Sequence, residues 1–455
     1  MKNVASVSAN LLRTVSLAAL VAASCLVGGC SGEQSPTPTI LNSAPTPQTT
    51  AGKPEAAQVV GEQTPAQAGG DVFSGDTIKI GVDLPTSNHG TPMPDVIAIR
   101  DAVQLAIDQA NSAGGVVIAG KTYKLEMYAL DNQDDFQIGQ KNAEAFVADP
   151  AVLALVGPTE SSIASGDMPI FNEAGLAQIS PANTRPDLTK PQYGRIQDLR
   201  PTGKLTYFRI VTTDDIQGPA GADYMYDKLG IHKVYVLDDL SDYAKMLDDN
   251  VARRFREDGG TVLGRENLSP DAQNYAAILK KVADTKPDAL YYAGILDPKR
   301  DQIRKQMVAM GINIPFVGSD GIIDPQFIQD AGSAADGSYA TTVAVNPTAL
   351  AGGRQFLADY KARFGEEPTI QDHSAYAPAA YDAANIVIAA MKRAQSPDRE
   401  SVRQQIAATR DYPGVLGTTS FDENGDTTVH WISVYKVVNG EWTWADQFNY
   451  QGPLP

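Results

Sequence analysis

The chain has 455 residues, 43% of them hydrophobic and 20% charged, and a formal net charge of −17 at pH 7. That length leaves room for two or more domains with sizeable cores. The acidity argues against nucleic acid as a partner, because phosphate contacts draw on Lys and Arg.

Lys2 and Arg13 precede an apolar run from Val15 to Val27, and Gly28-Gly29-Cys30 follows. A charged start, a short apolar run and small residues read as a secretory leader over residues 1–29. The run is shorter than a membrane span requires. The sequence Leu26-Val27-Gly28-Gly29-Cys30 resembles a bacterial lipobox, in which Cys30 becomes the lipid-bearing first residue of the mature chain. The alternative is ordinary secretion with a spare cysteine. Cys25 lies inside the leader, so one cysteine remains and no intrachain disulfide is expected. Residues 30–75 are rich in Pro and Thr, with Pro at 36, 38, 45, 47, 54 and 65. Too few large apolar side chains occur there to offset ordering entropy, so the segment reads as a disordered tether.

The folded body begins with a strand, Thr77–Leu84. Val96, Ile99, Val103 and Ile107 recur at steps of three and four, which predicts an amphipathic helix over Asp95–Asn111 closed by Gly114-Gly115. A strand at Lys124–Leu130 and a helix at Asp135–Asp149 follow. Two short apolar runs, Ala151–Val156 and Leu176–Ile179, flank a helix that starts near Ser161. The pattern then restarts. Strands are predicted at Tyr207–Val211, Lys233–Leu237, Thr261–Asn267, Ala289–Ala293 and Pro315–Val317. Helices are predicted at Gly218–Leu229, Tyr243–Asp258, Tyr275–Asp284 and Pro298–Met310. Two longer helices, Arg354–Phe364 and Tyr376–Ala394, precede a β-hairpin turning at Asn439-Gly440. Alternating strands and helices argue for parallel sheets with helices on both faces.

Several motifs dissolve on inspection. Gly115-Val116-Val117-Ile118-Ala119-Gly120-Lys121-Thr122 fits the P-loop expression. A P-loop needs a strand before it and a helix after it, and here the order is reversed, which leaves a helix-to-strand turn. Asp422-Glu423-Asn424-Gly425-Asp426 imitates part of a calcium loop but lacks the distal glutamate, so a β-turn is expected. The four histidines, His89, His232, His373 and His430, are scattered and suggest no zinc site. No serine elbow and no cysteine nucleophile remain, so no catalytic constellation and no cofactor are expected.

The stretch 151–189 carries a different chemistry. Two strand ends lie close in sequence, each followed by hydroxyls, at Ser161 and Thr184. Ligands of open α/β sheets collect at such carboxyl ends, and helix N-terminal amides there favour an anion. Ser161 and Thr184 are therefore candidates for holding a ligand carboxylate; the bland alternatives are a helix N-cap and a turn residue. Asp320 follows Phe316-Val317-Gly318 at a strand end of the second unit, and Tyr243 follows another. Their bland alternatives are a cap and a packing residue.

Four segments together resemble the leucine/isoleucine/valine-binding family of periplasmic-type substrate-binding proteins, which serve ABC importers. They are GPTESSIASGDMPIFNEAGLAQISPANTRPDLT, QGPAGADYMYDKLG, YYAGILDPKRDQIRKQMVAMGINIPFVGSDGI and AYAPAAYDAANIVIAAMKRA. The likeness runs from about Thr77 to the C-terminus. It implies an α/β bilobed clamshell, two doubly wound parallel-sheet lobes joined by a multi-crossing hinge. One lobe would comprise residues 76–212 with 346–424, the other 213–345 with 425–455. The family's ligand serine matches Ser161, its alanine Ala182 and its threonine Thr184, which would receive the carboxylate and part of the ammonium. Its tyrosine matches Tyr243, and its acidic residue matches Asp320, which would pair the ammonium. Ile295 stands where an aromatic is expected, and no aromatic wall is evident in Pro85–Pro94. Both departures touch the side-chain pocket.

Together with the lipobox-like Cys30, the resemblance implies a monomeric, lipid-anchored extracytoplasmic protein, not an enzyme. It would bind an amino acid, branched-chain or other aliphatic, and deliver it to an ABC permease and its ATPase. A zwitterion suits such a cleft, because its two charges want opposite partners away from water. Two rivals keep the fold: an amide, urea or aromatic acid as ligand, or a sensory domain that reports occupancy.

Overall fold

A computed structural model describes residues 73–452 except 89, 270, 271, 273, 296–298, 370 and 371. The expected leader, Cys30, the expected tether up to residue 72 and His89 lie outside the described residues. Residues 73–75, expected as the tether's end, instead join the folded body: Phe73 N donates to Pro397 O at 3.0 Å, and Lys121 bonds Ser74 O and Gly75 O.

In the first part of the chain, β1 (Thr77–Leu84) leads into a small hairpin of β2 (Ser87–Asn88) and β3 (Thr91–Pro92), then α1 (Pro94–Ser112). Next come β4 (Val116–Ile118), β5 (Lys121–Asp131), α2 (Phe136–Ala148), β6 (Val152–Val156), α3 (Ser161–Glu173), β7 (Ala177–Ser180), the single turn α4 (Ile196–Leu199) and β8 (Tyr207–Arg209). These strands form a six-stranded sheet ordered β4-β5-β1-β6-β7-β8, parallel except for the β4–β5 pair. Its central strand β6 is a continuous apolar run, as a strand covered on both faces requires. All five residues of β6 are buried.

The second part runs α5 (Asp214–Asp223), β9 (Lys233–Asp238), α6 (Asp242–Glu257), β10 (Thr261–Asn267), α7 (Ala276–Thr285), β11 (Ala289–Ala293), α8 (Lys299–Ala309), β12 (Phe316–Gly318), α9 (Pro325–Ala331) and β13 (Tyr339–Thr342). The chain then returns to the first sheet with α10 (Gly353–Phe364), α11 (Ala377–Arg393) and α12 (Arg399–Ala407), and a small ribbon of β14 (Tyr412–Gly414) and β15 (Gly417–Thr419). It crosses again to place β16 (Trp431–Val438) and β17 (Glu441–Asn449) antiparallel on the second sheet. That sheet is ordered β10-β9-β11-β12-β13-β16-β17.

Both sheets contain the same winding: the second βα strand pairs outside the first, and the third strand pairs on its other side. The reversal of direction opens a crevice at the carboxyl ends of β1 and β6 in one lobe and of β9 and β11 in the other. The crossings pack against one another, bringing Ile210, Val211, Val343, Val345, Leu416 and Trp431 together. This is the bilobed architecture with a multi-crossing hinge.

Some elements differ from the sequence reading. The P-loop look-alike is a β-hairpin, not a bare helix-to-strand turn: Ala119 and Gly120 turn it with φ of 49° and 85°. Two successive left-handed residues match the strand twist of a tight hairpin. Lys121 bonds Ser74 O and Gly75 O and pairs with Asp76, so its ammonium is engaged. β13, α9 and α12 were not predicted, being short and weakly periodic. α5 begins at Asp214, a turn before the expected Gly218, with Pro219 inside it. Gly218 is needed there because α5 lies hard against α6: a Cβ would stand 2.8 Å from Asn250 Cβ. The acidic run 422–426 is a turn whose Asp422 Oδ1 accepts from Asn424 N and Asp426 N.

Candidate functional site

The first-lobe edge is built from the turns after β6 and β7. Gly157 ends β6 with φ +116°, and a Cβ there would lie 2.4 Å from Asp83 O, so only glycine lets the turn approach β1 this closely. The two turns are tied together: Gly157 N donates to Ile179 O (2.9 Å), Ser180 Oγ to Pro158 O (2.7 Å) and Asn183 Nδ2 to Thr159 O (2.6 Å). Ser161 opens α3, but the cap position belongs to Glu160, which makes no side-chain cap bond. Ser161 is therefore the first helical residue and not an N-cap, and its hydroxyl is not committed to the helix end. Ala182 N is met by Ser180 Oγ at 3.3 Å. Thr184 is buried on the following turn.

Behind Thr184 sits a fully buried arginine. Arg209 Nε donates to Asp426 Oδ1 (2.6 Å), and its Nη1 donates to Arg185 O (2.7 Å) and Asn183 O (3.3 Å). Nη2 reaches the Thr189 hydroxyl, which donates to Asp426 Oδ2 at 3.0 Å. The guanidinium thus holds the carbonyls on both sides of Thr184 and fixes that turn to the 422–426 turn.

The second-lobe edge centres on Asp320, just past β12. Tyr243, in the first turn of α6, has its hydroxyl 2.9 Å from Asp320 Oδ1 and 2.7 Å from Ser319 Oγ. A phenol has one proton, so it donates to the carboxylate and accepts from the serine. Gln217 Nε2 on α5 donates to the same oxygen (2.8 Å), and Tyr376 Oη donates to Oδ2 (3.3 Å). Among the described residues no cationic side chain pairs with Asp320. Burial pushes the hydroxyls of Tyr243 and Tyr376 well above the usual phenol range, with the negative charge of Asp320 adding to it.

Between the edges lies Asp214, at the start of α5. Its N–H donates to Thr184 O at 2.8 Å, and Gln217 follows on the same helix face. The side chain is fully buried, and neither carboxyl oxygen has a hydrogen-bond partner among the described residues. Burial raises its carboxyl well above the ordinary range, and Asp320 pushes the same way. The nearby Thr184 hydroxyl and Arg209 pull against this, though Thr184 completes no hydrogen bond to it.

The structure therefore brings Tyr243 and Asp320 into direct contact and places Thr184 one hydrogen bond from Asp214. Ser161 and Ala182 stand on the adjoining tied turns. Ile295, where an aromatic was expected, is half exposed beside the Asp320 turn; a Cβ on Gly321 would meet its Cγ2 at 2.5 Å. Sequence reasoning missed Asp214, Gln217, Tyr376 and Arg209. The Asp214/Gln217 spacing of three was visible, but Gly218-Pro219 reads as a helix start and hid it.

Two doubly wound lobes meeting over a cleft rich in carboxyl and hydroxyl groups define a bilobed solute-binding protein. A family model described as periplasmic binding protein matches residues 77–441, and the chain belongs to that family. It is similar to the Leu/Ile/Val-binding protein homolog 1 of Brucella suis biovar 1 (strain 1330), with 26% identity over 385 residues, 84% of this chain and 95% of the relative. Among solved structures it resembles the leucine binding protein LivK of Thermotoga maritima MSB8, with TM-score 0.69 and 27% identity over 82% of this chain and 99% of that one. It also resembles LivJ of Streptococcus pneumoniae in complex with isoleucine, with TM-score 0.68 and 28% identity over 82% and 100% of the two chains.

Proposed function

We propose that this protein captures an amino acid, branched-chain or other aliphatic, between its lobes and delivers it to an ABC permease with its ATPase. The observation that carries the reading is Asp320, a carboxylate held among the described residues by neutral donors alone, Gln217, Tyr243 and, from the other lobe, Tyr376. Ser161, Ala182 and Thr184 receive the ligand carboxylate, helped by the free amides at the start of α3. Asp320 takes the ammonium, and Tyr243 and Gln217 aim it. Each lobe satisfies one pole, so only the closed form satisfies the whole ligand, and binding favours closure. The lobes in this reading are residues 76–212 with 346–424 and 213–345 with 425–455. The protein works as a monomer outside the cytoplasm, anchored through lipid on Cys30, with no catalytic step.

A thermal-shift screen across amino acids, their des-amino analogues and small acids tests the reading. The expected result is a shift by aliphatic amino acids that is lost for 4-methylpentanoate. In Asp320→Asn, leucine should lose about 2–5 kcal/mol of binding, the cost of removing one partner of a desolvated charge pair. Equal losses for leucine and 4-methylpentanoate would remove Asp320 from the ammonium role.

A further inference from the structure

Asp214 has no place in the carboxylate-and-ammonium scheme as drawn from the sequence, yet it lies inside it. Its backbone is bonded to the threonine of one pole, and its helix neighbour Gln217 is bonded to the aspartate of the other. Its carboxyl group is completely buried, and neither oxygen has a hydrogen-bond partner among the described residues. A bare carboxylate in that setting costs far more than a neutral acid, because burial penalises the charge and a second carboxylate repels it.

Among the described residues none supplies a free counter-ion. Arg209 on β8 is the cation that acts on Asp214, but its donors are engaged by Asp426, Thr189, Asn183 O and Arg185 O. Asp215, next in the helix, is matched by Lys190 at 2.6 Å. Asp320 faces it from the turn after β12. Tyr243 on α6, Tyr291 on β11 and Tyr376 ahead of α11 also feel its charge, and burial keeps all three neutral. What is missing is a positive charge between Asp214 and Asp320, and an ammonium group supplies one.

We propose that Asp214 is a second carboxyl group of the ammonium site, protonated while the cleft is empty and ionised when an amine-bearing ligand enters, so that capture releases a proton to solvent. The balance is simple. The O–H bond of the Asp214 carboxyl breaks, the proton passes to the buffer, and the carboxylate left behind pairs with the ligand's ammonium. No electron moves and no other reactant is consumed. This rests on the amino-acid reading above and adds a charge count to it: in the empty cleft only one of the two acidic groups carries charge, and the entering ammonium lets both be ionised with the site's charge unchanged.

The test is calorimetric titration of the protein with leucine near neutral pH, in phosphate and in Tris, whose ionisation heats differ widely. The expected result is an apparent enthalpy that differs between buffers by an amount equivalent to release of up to one proton per leucine. Asp214→Asn should abolish that difference. A buffer-dependent release that survives in Asp214→Asn would assign the proton to another group and overturn the proposal. Leucine binding without any buffer dependence in the natural protein would overturn it too, while leaving the amino-acid reading intact. Failure of every amino acid to bind would remove both. Should Asp214→Asn not fold, infrared difference spectra of the natural protein decide: the carbonyl stretch of a buried protonated carboxyl must disappear on loading, and its persistence refutes the release.

Discussion

Tyr376, which caps α11 in the first lobe, donates its hydroxyl proton to Asp320 Oδ2 in the second lobe across 3.3 Å. The bond spans the cleft. At that length it belongs near the lower end of hydrogen bonds to charged groups, about 1.5 kcal/mol. Removing it should release the lobes: ligand-free Tyr376→Phe is expected to show a larger radius of gyration by small-angle scattering, with the leucine-loaded form unchanged. Matching radii for the variant and the natural protein in the ligand-free state would show that this bond does not hold the lobes.

Ser161 is the sharper test of the first-lobe pole. Because Glu160 holds the cap position, truncating the Ser161 hydroxyl removes no cap bond and should leave helix stability nearly intact. Ser161→Ala is expected to weaken leucine binding by roughly 1–3 kcal/mol, the cost of leaving a buried acceptor short of its partner. Its melting temperature should stay close to that of the natural protein. A drop in melting temperature with unchanged affinity would return Ser161 to a purely structural role.

The alternation of buried strands and amphipathic helices made most of this fold legible, because a continuous apolar run such as Val152–Val156 has few other uses than a doubly covered strand. The strand ends carrying Ser161, Thr184 and Asp320 were legible for the same reason. What stayed hidden depends on contacts distant in sequence. Nothing near Tyr376 announces that it meets a residue 56 positions earlier, and Arg209 reads as an ordinary strand-end arginine until Asp426, 217 positions on, closes over it. Asp214 was hidden by local chemistry: Gly218-Pro219 looks like a boundary, whereas in the structure close packing on α6 requires the glycine and the helix runs through. The tether up to residue 72 and the lipobox cysteine fall outside the described residues, so their reading still rests on composition and motif.

Arg209 and Asp426 give a prediction about how the Thr184 turn is held. Both are buried, and the pair is bonded at 2.6 Å. Removing one member leaves a buried charge without its partner, which costs about 3–5 kcal/mol, whereas replacing both with apolar side chains can be far milder. Arg209→Met and Asp426→Leu should each unfold at much lower denaturant concentration. The double variant should be less destabilised than the two losses added together. Lysine at 209 should not rescue the single variant, because an ammonium lacks the fork that spans Asp426, Thr189 and two carbonyls. Strict additivity of the two single losses would mean that the pair is not the unit holding this turn.

A second pair of acids, Asp83 and Asp167, contributes to how stability follows pH. Asp83 at the end of β1 accepts from Asn142 Nδ2 at 2.8 Å, while Asp167 on α3 has no hydrogen-bond donor for either oxygen among the described residues. Burial raises both carboxyls, and the charge of Asp83 raises Asp167 further, so Asp167 is the last of the pair to ionise. In the unfolded chain each would titrate in the ordinary carboxylate range, near 4. Above that range the folded protein holds more protons than the unfolded one, so stability falls as pH rises until the folded pair has itself ionised. The contribution is at most about 1.4 kcal/mol per pH unit for each proton retained. Denaturation midpoints measured from mildly acidic to mildly alkaline pH should therefore decline in the natural protein. The decline should be shallower in Asp167→Asn, whose amide can donate to Asp83 without a titrating proton. Parallel declines in the two proteins would place the retained proton elsewhere.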